Sequence, residues 1–216
     1  MNIQNYPLKP NQWFTTEHPK KYVVWHGTTG RTAATPSNGH PGKATSTIDD
    51  WNSNTKRIAT AWVVDRDGTI YKTFDDRQWA AHLGIQNTDN KYDKASVGIE
   101  IANEVDLMKK NGSLYAFEGT TKYVGPSFER NWRNGRYWAG LDEAQIDATI
   151  ELTLDICSRF NIEPKFYYPS TKFDYPNCFQ TATIICHSNC RTDKTDLILE
   201  DWVWDKIKAA GIPLTA

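Results

Sequence analysis

The chain has 216 residues, with 25 Lys+Arg against 26 Asp+Glu for a formal charge of -1, and 12% aromatic residues that include 9 Trp. That length sustains one substantial core, so a single domain over residues 1–216 is expected, and the balanced charge without a basic run excludes a surface built to track nucleic-acid phosphates. Met1 to Pro10 has neither the basic start nor the apolar centre of a signal peptide, and no stretch reaches membrane-spanning length, so the expectation is a monomer made in the cytosol with no membrane partner.

In chain order, Tyr22 to Trp25 is a β-prone run that ends at His26 and breaks at Gly27, which places His26 at a strand end. The Gly-, Thr-, Pro- and Asn-rich segment from Gly27 to Gly42 reads as a loop rimming a groove, and Ser46 or Thr47 is expected to cap a short helix around Ile48 and Trp51. Thr60 to Val64, Asp65-Arg66-Asp67-Gly68 and Thr69 to Thr73 form a β-hairpin signature, since the Asp-Gly turn supplies positive φ. Ser96 to Ala102 reads as a central strand in which Glu100 needs either a partner or a task.

The segment at about 104–140 differs in character. It is rich in charge and glycine yet carries Tyr115, Phe117, Tyr123, Phe128, Trp132, Tyr137 and Trp138, and it reads as an aromatic-rich insertion. Asp142 and Gln145 then make a capping-box start to a helix with Ile146, Ile150, Leu154 and Cys157 at helical spacing, stopping at Asn161. Phe166 to Phe179 reads as a long loop, Thr181 to Cys186 as a strand that delivers His187, and Asp201 to Ala210 as a terminal helix closed by Gly211. The order implies an α/β fold with a central mixed β-sheet flanked by helices.

His26 and His187 each end a β-prone run, and Asp196 lies nine positions after the second across a polar loop. Two imidazoles and a carboxylate make a donor set of the kind catalytic zinc uses, with the fourth position left for water. A different metal set draws on Cys178, Cys186, His187 and Cys190, since thiolates bind zinc tightly, but Cys186 and His187 would point to opposite faces of a continuing strand and no CxxC pair exists. With Cys157 these are too few cysteines for a disulfide scaffold, and a reduced state is expected. His18 and His40, each before a proline, read as surface residues.

Val23-Val24-Trp25-His26-Gly27-Thr28-Thr29-Gly30, Asp65 to Tyr71, Trp79-Ala80-Ala81-His82, Ser96-Val97-Gly98-Ile99-Glu100, and His187 with Lys194-Thr195-Asp196 occur in this order. Together, from about Tyr22 to Ile212, they resemble the type 2 N-acetylmuramoyl-L-alanine amidases, a family of phage endolysins, bacterial recycling amidases and animal peptidoglycan recognition proteins. The resemblance implies a single domain of that kind and a peptidoglycan or muropeptide substrate. It implies Zn2+ held by His26, His187 and Asp196, a position that some relatives fill with Cys. It also implies that Lys194 stabilises the oxyanion, that Glu100 orients water and moves its proton, and that His82 and Trp79 contact substrate. Thr60 and Ala61 stand where short phage-type relatives carry Tyr-His, and Leu197 and Ile198 stand where Pro-Gly is frequent. A phage-type endolysin acting on the bacterial wall is the expected role. The alternatives are a cytosolic recycling amidase and a non-catalytic peptidoglycan-binding module.

Overall fold

The computed structural model describes residues 1–35 and 43–215; the 36–42 part of the expected groove-rimming loop lies outside them. Alternating apolar runs build an eight-stranded sheet from β1 (Asn2–Asn5), β2 (Tyr22–Gly27), β3 (Trp62–Val64), β4 (Thr69–Lys72), β5 (Ser96–Ile101), β11 (Phe166–Tyr167), β12 (Ile184–Cys186) and β13 (Leu214–Thr215). Their spatial order is β1-β4-β3-β5-β2-β12-β11-β13. Every neighbouring pair is parallel except the β3–β4 hairpin, so the sheet is mixed, as expected. The hairpin turn depends on Gly68, whose φ of 84° suits glycine and whose missing Cβ would otherwise sit 2.8 Å from the Ala144 carbonyl oxygen.

Helices flank this sheet: α1 (Thr45–Ser53), α2 (Lys91–Ala95), α3 (Glu143–Phe160), the single turns α4 (Cys178–Thr181) and α5 (His187–Cys190), and α6 (Asp201–Ala209). The long helix α3 buries Ile146, Ile150, Leu152 and Ile156 in the main core with Trp25, Ile99 and Ile101. The Trp25 indole N–H donates to the Thr153 hydroxyl at 3.0 Å, which fixes β2 against α3. Asn161 ends the helix with φ of 54°, the left-handed stop that asparagine tolerates.

Two expected caps do not form. The first residue of α1 is Thr45 and its N-cap is Ala44, so Ser46 and Thr47 lie inside the helix. Asp142 does occupy the α3 N-cap position, but its carboxylate accepts from Arg66 at 2.7 Å, and the Gln145 amide donates to the Ala102 carbonyl at 2.9 Å, so no capping box closes. Tertiary partners outcompete the local bonds at both residues. The edge strands β1 and β13, the two-residue β11 inside the Phe166–Phe179 loop, and α4 at the start of the expected Thr181–Cys186 strand lie beyond what propensity showed.

The aromatic-rich segment at 104–140 forms a second sheet, fully antiparallel, of β6 (Asp106–Lys110), β7 (Ser113–Ala116), β8 (Thr121–Lys122), β9 (Ser127–Trp132) and β10 (Gly135–Ala139), ordered β8-β7-β6-β10-β9. Its entering and leaving strands, β6 and β10, are paired, and the Asn103 amide donates to the carbonyls of Ala139 and Gly140, each at 3.2 Å. Arg66 fastens the two sheets together. Its guanidinium donates to Glu104 at 2.9 Å, Asp142 at 2.7 Å and Tyr123 Oη at 3.1 Å, while the other Glu104 oxygen accepts from Thr32 and Thr35. Removing one partner of such a buried pair strands the other charge, so Glu104→Ala is expected to lower stability by roughly 3 kcal/mol in urea denaturation. An unchanged midpoint would show that the pair does not hold the sheets.

Candidate metal centre

Strand alternation decides which side chains meet. In β2, Val23 and Trp25 enter the core under α3, whereas Val24 and His26 face the other side of the sheet. The parallel register sets His26 opposite Glu100 of β5 and Trp25 opposite Cys186 of β12, so His187, one residue past β12, emerges beside His26. The Ser188 amide then donates to the Asp196 carbonyl at 2.9 Å, which folds the polar loop back on itself. Three side-chain atoms converge as a result. His26 Nδ1 and His187 Nδ1 are 3.0 Å apart, and Asp196 Oδ2 lies 3.1 Å from His187 Nδ1 and 3.4 Å from His26 Nδ1. All three residues are buried, and among the described residues no other group of three or more His, Cys, Asp or Glu could hold an ion.

The donor set fits a zinc ion. His187 Nε2 faces the Leu83 carbonyl at 2.9 Å, an acceptor only, so that nitrogen carries a proton and Nδ1 is the nitrogen turned inward. Burial, and then the neighbouring His187, push the His26 pKa down to about 4, which keeps the His26 ring neutral. Asp196 Oδ2 completes the set, with an imidazole nitrogen of each histidine within 3.4 Å of it. Lone pairs and an anionic oxygen therefore point at one spot that a cation would relieve. Donors about 2.0–2.1 Å from a tetrahedral zinc stand roughly 3.3 Å from one another, close to the separations here.

Glu100 and Lys194 flank this centre. Glu100 Oε2 is buried with no hydrogen-bond partner among the described residues. Burial first, then Asp196, lift the Glu100 pKa to about 8 against the opposing pull of Lys194. Lys194 is partly buried, makes no ion pair among the described residues, and its charge also reaches His26. Beside its loop lies a cavity of about 460 Å³ between Thr192, Asp193 and Thr195 on one side and Asp106, Arg133, Asn134, Gly135 and Trp138 of the second sheet on the other.

Residues 16–197 match the family model described as N-acetylmuramoyl-L-alanine amidase. The chain belongs to this amidase family. Among solved structures, it is similar to the AmiD amidase from E. coli in complex with anhydro-N-acetylmuramic acid-L-Ala-D-gamma-Glu-L-Lys, with 17% identity, TM-score 0.53, and coverage of 92% of this chain and 60% of that one. It is similar also to the catalytic domain of XlyA (13% identity, TM-score 0.53, covering 97% of this chain and 99% of that one). A mutant endolysin from Bacillus subtilis aligns at 15% identity and TM-score 0.51, with 97% of each chain covered. No curated protein sequence matches the chain.

Trp79 and His82, expected to contact substrate, have partners within the protein. Trp79 is buried, stacks on Phe14 with ring centroids 4.0 Å apart and donates its indole N–H to Thr16 Oγ1 at 2.9 Å, so it anchors the N-terminal segment. His82 spends both ring nitrogens inside the protein, Nδ1 on His26 Nε2 and Nε2 on Ser96 Oγ, each at 2.9 Å. His18 packs edge-on against Trp79 and is partly covered, and His40 lies outside the described residues. Thr60, standing where some amidases carry tyrosine, is buried with its hydroxyl donated to the Trp62 carbonyl.

The four cysteines are free and buried and assemble no metal set, with Cys186 in the main core and Cys178 and Cys190 on the opposite face. Sequence reasoning missed Arg133, at the β9–β10 turn, which donates to the carbonyls of Ser188 at 3.2 Å and Arg191 at 2.9 Å and so braces the loop that carries Asp196. Its only sequence signal was its place in an aromatic-rich insertion.

Proposed function

We propose that this chain hydrolyses the amide bond between N-acetylmuramic acid and L-alanine in peptidoglycan with zinc held by His26, His187 and Asp196, and that it works as a bacteriolytic, phage-type endolysin. The convergence of two inward Nδ1 atoms and one carboxylate oxygen within 3.0–3.4 Å carries this reading, set in a chain of the amidase family. Bound zinc supplies the Lewis acidity that makes a water nucleophilic near neutral pH. The protein supplies the rest. Glu100, whose pKa the charge of a bound metal would lower, would accept a proton from that water and pass it to the departing alanine amine. The Lys194 ammonium complements the negative charge that builds on the former carbonyl oxygen.

The cavity between the Asp196 loop and the second sheet offers Asn134, Thr192, Thr195 and two carboxylates beside Trp138, a lining with the hydrogen-bonding groups that glycan or stem peptide requires. A second wall of this kind suits a polymer. Purified protein is expected to carry about one zinc and to reduce the turbidity of sacculi while releasing new amino termini. New reducing ends would mean a glycosidase. Undiminished cleavage in excess chelator would remove zinc from the mechanism. Activity confined to soluble anhydro-muropeptides would reassign the protein to recycling, and wall binding without cleavage would make it a binding module.

A further inference from the structure

One short stretch, His82-Leu83, touches both candidate zinc histidines. The Ser96 hydroxyl has a single hydrogen, which it donates to the Tyr92 carbonyl at 2.6 Å, so toward His82 it can only accept. His82 Nε2, 2.9 Å from Ser96 Oγ, therefore carries the proton, and a neutral His82 leaves Nδ1 bare. That bare Nδ1 lies 2.9 Å from His26 Nε2 and takes its N–H, which leaves His26 Nδ1 without a hydrogen and facing His187 and Asp196. The next residue repeats the device with its backbone, since the Leu83 carbonyl accepts from His187 Nε2 at 2.9 Å.

Asp93 holds the stretch still. Its Oδ1 accepts from the amides of His82 at 2.7 Å and Leu83 at 2.8 Å, and Asp93 is buried. Tyr92 and Asp93 lie in α2 and Ser96 follows at the start of β5, so one short segment anchors the whole set.

We propose that His82, with Leu83, Asp93 and Ser96 behind it, is a positioning residue that fixes both zinc histidines in the Nε2–H tautomer, turning their bare Nδ1 atoms toward the metal. This rests on the metal reading of the triad. It assigns His82 to the support of His26 instead of to substrate. Outer partners of metal-bound histidines are worth about 10- to 100-fold in affinity, because they set ring orientation and ligand basicity.

The test compares wild type, His82→Ala, His82→Gln and Ser96→Ala by zinc competition against a chromophoric chelator, alongside long-range 15N imidazole spectra of the metal-free proteins. Expected results are Nε2–H resonances for His26 and His187 in wild type, zinc binding weakened about 10- to 100-fold in His82→Ala, and partial recovery in His82→Gln, whose amide oxygen can take the His26 N–H. Ser96→Ala, which leaves the His82 ring in place, is expected to show mixed tautomers at His82 and His26 with a smaller loss of affinity. It keeps the test decisive if His82→Ala fails to fold. Wild-type zinc affinity in His82→Ala, or unchanged tautomers in Ser96→Ala, would overturn the proposal. Failure of the wild type to bind zinc would instead sink the metal reading, and the tautomers of the metal-free protein would still be measured separately.

Discussion

His187→Ala is expected to leave the protein folded but unable to retain zinc, and to reduce cleavage of peptidoglycan by roughly 10⁴-fold or more, since the uncatalysed hydrolysis of an amide is slow and the metal carries the activation of water. His187 touches both of its companions and the stretch behind them. Its Nδ1 is within 3.1 Å of both His26 Nδ1 and Asp196 Oδ2, and its Nε2 holds the Leu83 carbonyl. Truncation removes one of three donors and leaves a carboxylate and an imidazole, which seldom hold zinc on their own. The converse variant, Asp196→Cys, replaces a hard oxygen with a thiolate that zinc accepts at about 2.3 Å, and it is expected to keep the ion with altered activity. Zinc content after dialysis and the rate of amino-terminus release check both. A His187→Ala protein with full zinc and full activity would show that the triad is not the catalytic centre.

The two histidines were legible as strand ends by local rules, whereas their grouping with Asp196 in one centre was implied by the resemblance to the amidase family. His26 follows a run with strand propensity, and period-two alternation puts it with Glu100 on the face away from α3. The Asp-Gly turn and the apolar spacing of α3 are equally local, and both elements stand where pattern placed them. What escaped is what depends on distant partners. Trp79 and His82 sit three positions apart in one motif, yet one stacks on Phe14 and the other reaches His26, contacts that no spacing rule encodes. The same holds for Asp142 and Gln145, whose capping pattern yields to Arg66 and to the Ala102 carbonyl. The second sheet was visible only as composition. Its strands are short and half-exposed, and their pairing follows from long-range closure by Asn103 and Arg66.

Glu100→Gln is expected to cut turnover by roughly 10²- to 10⁴-fold while leaving zinc content unchanged, the signature of a lost proton carrier as opposed to a lost ligand. Its effect on stability gives an independent reading. The folded-state pKa of Glu100 is raised to about 8 from an ordinary 4.5, burial first and Asp196 second, with Lys194 opposing. Below pH 4.5 the folded and unfolded chains both carry the proton, so nothing is lost there. As the pH rises toward 8, the unfolded chain ionises while the folded one resists, and the contribution of Glu100 to stability drains away. The metal-free wild type is therefore expected to lose stability relative to metal-free Glu100→Gln between pH 5 and pH 9, with the gap in Tm changing by roughly 5 °C or more. Added zinc places a positive charge near the carboxylate and lowers its pKa, so the gap should shrink in the loaded proteins. Parallel Tm curves for the two metal-free proteins across that range would show that the folded protein does not raise the Glu100 carboxyl.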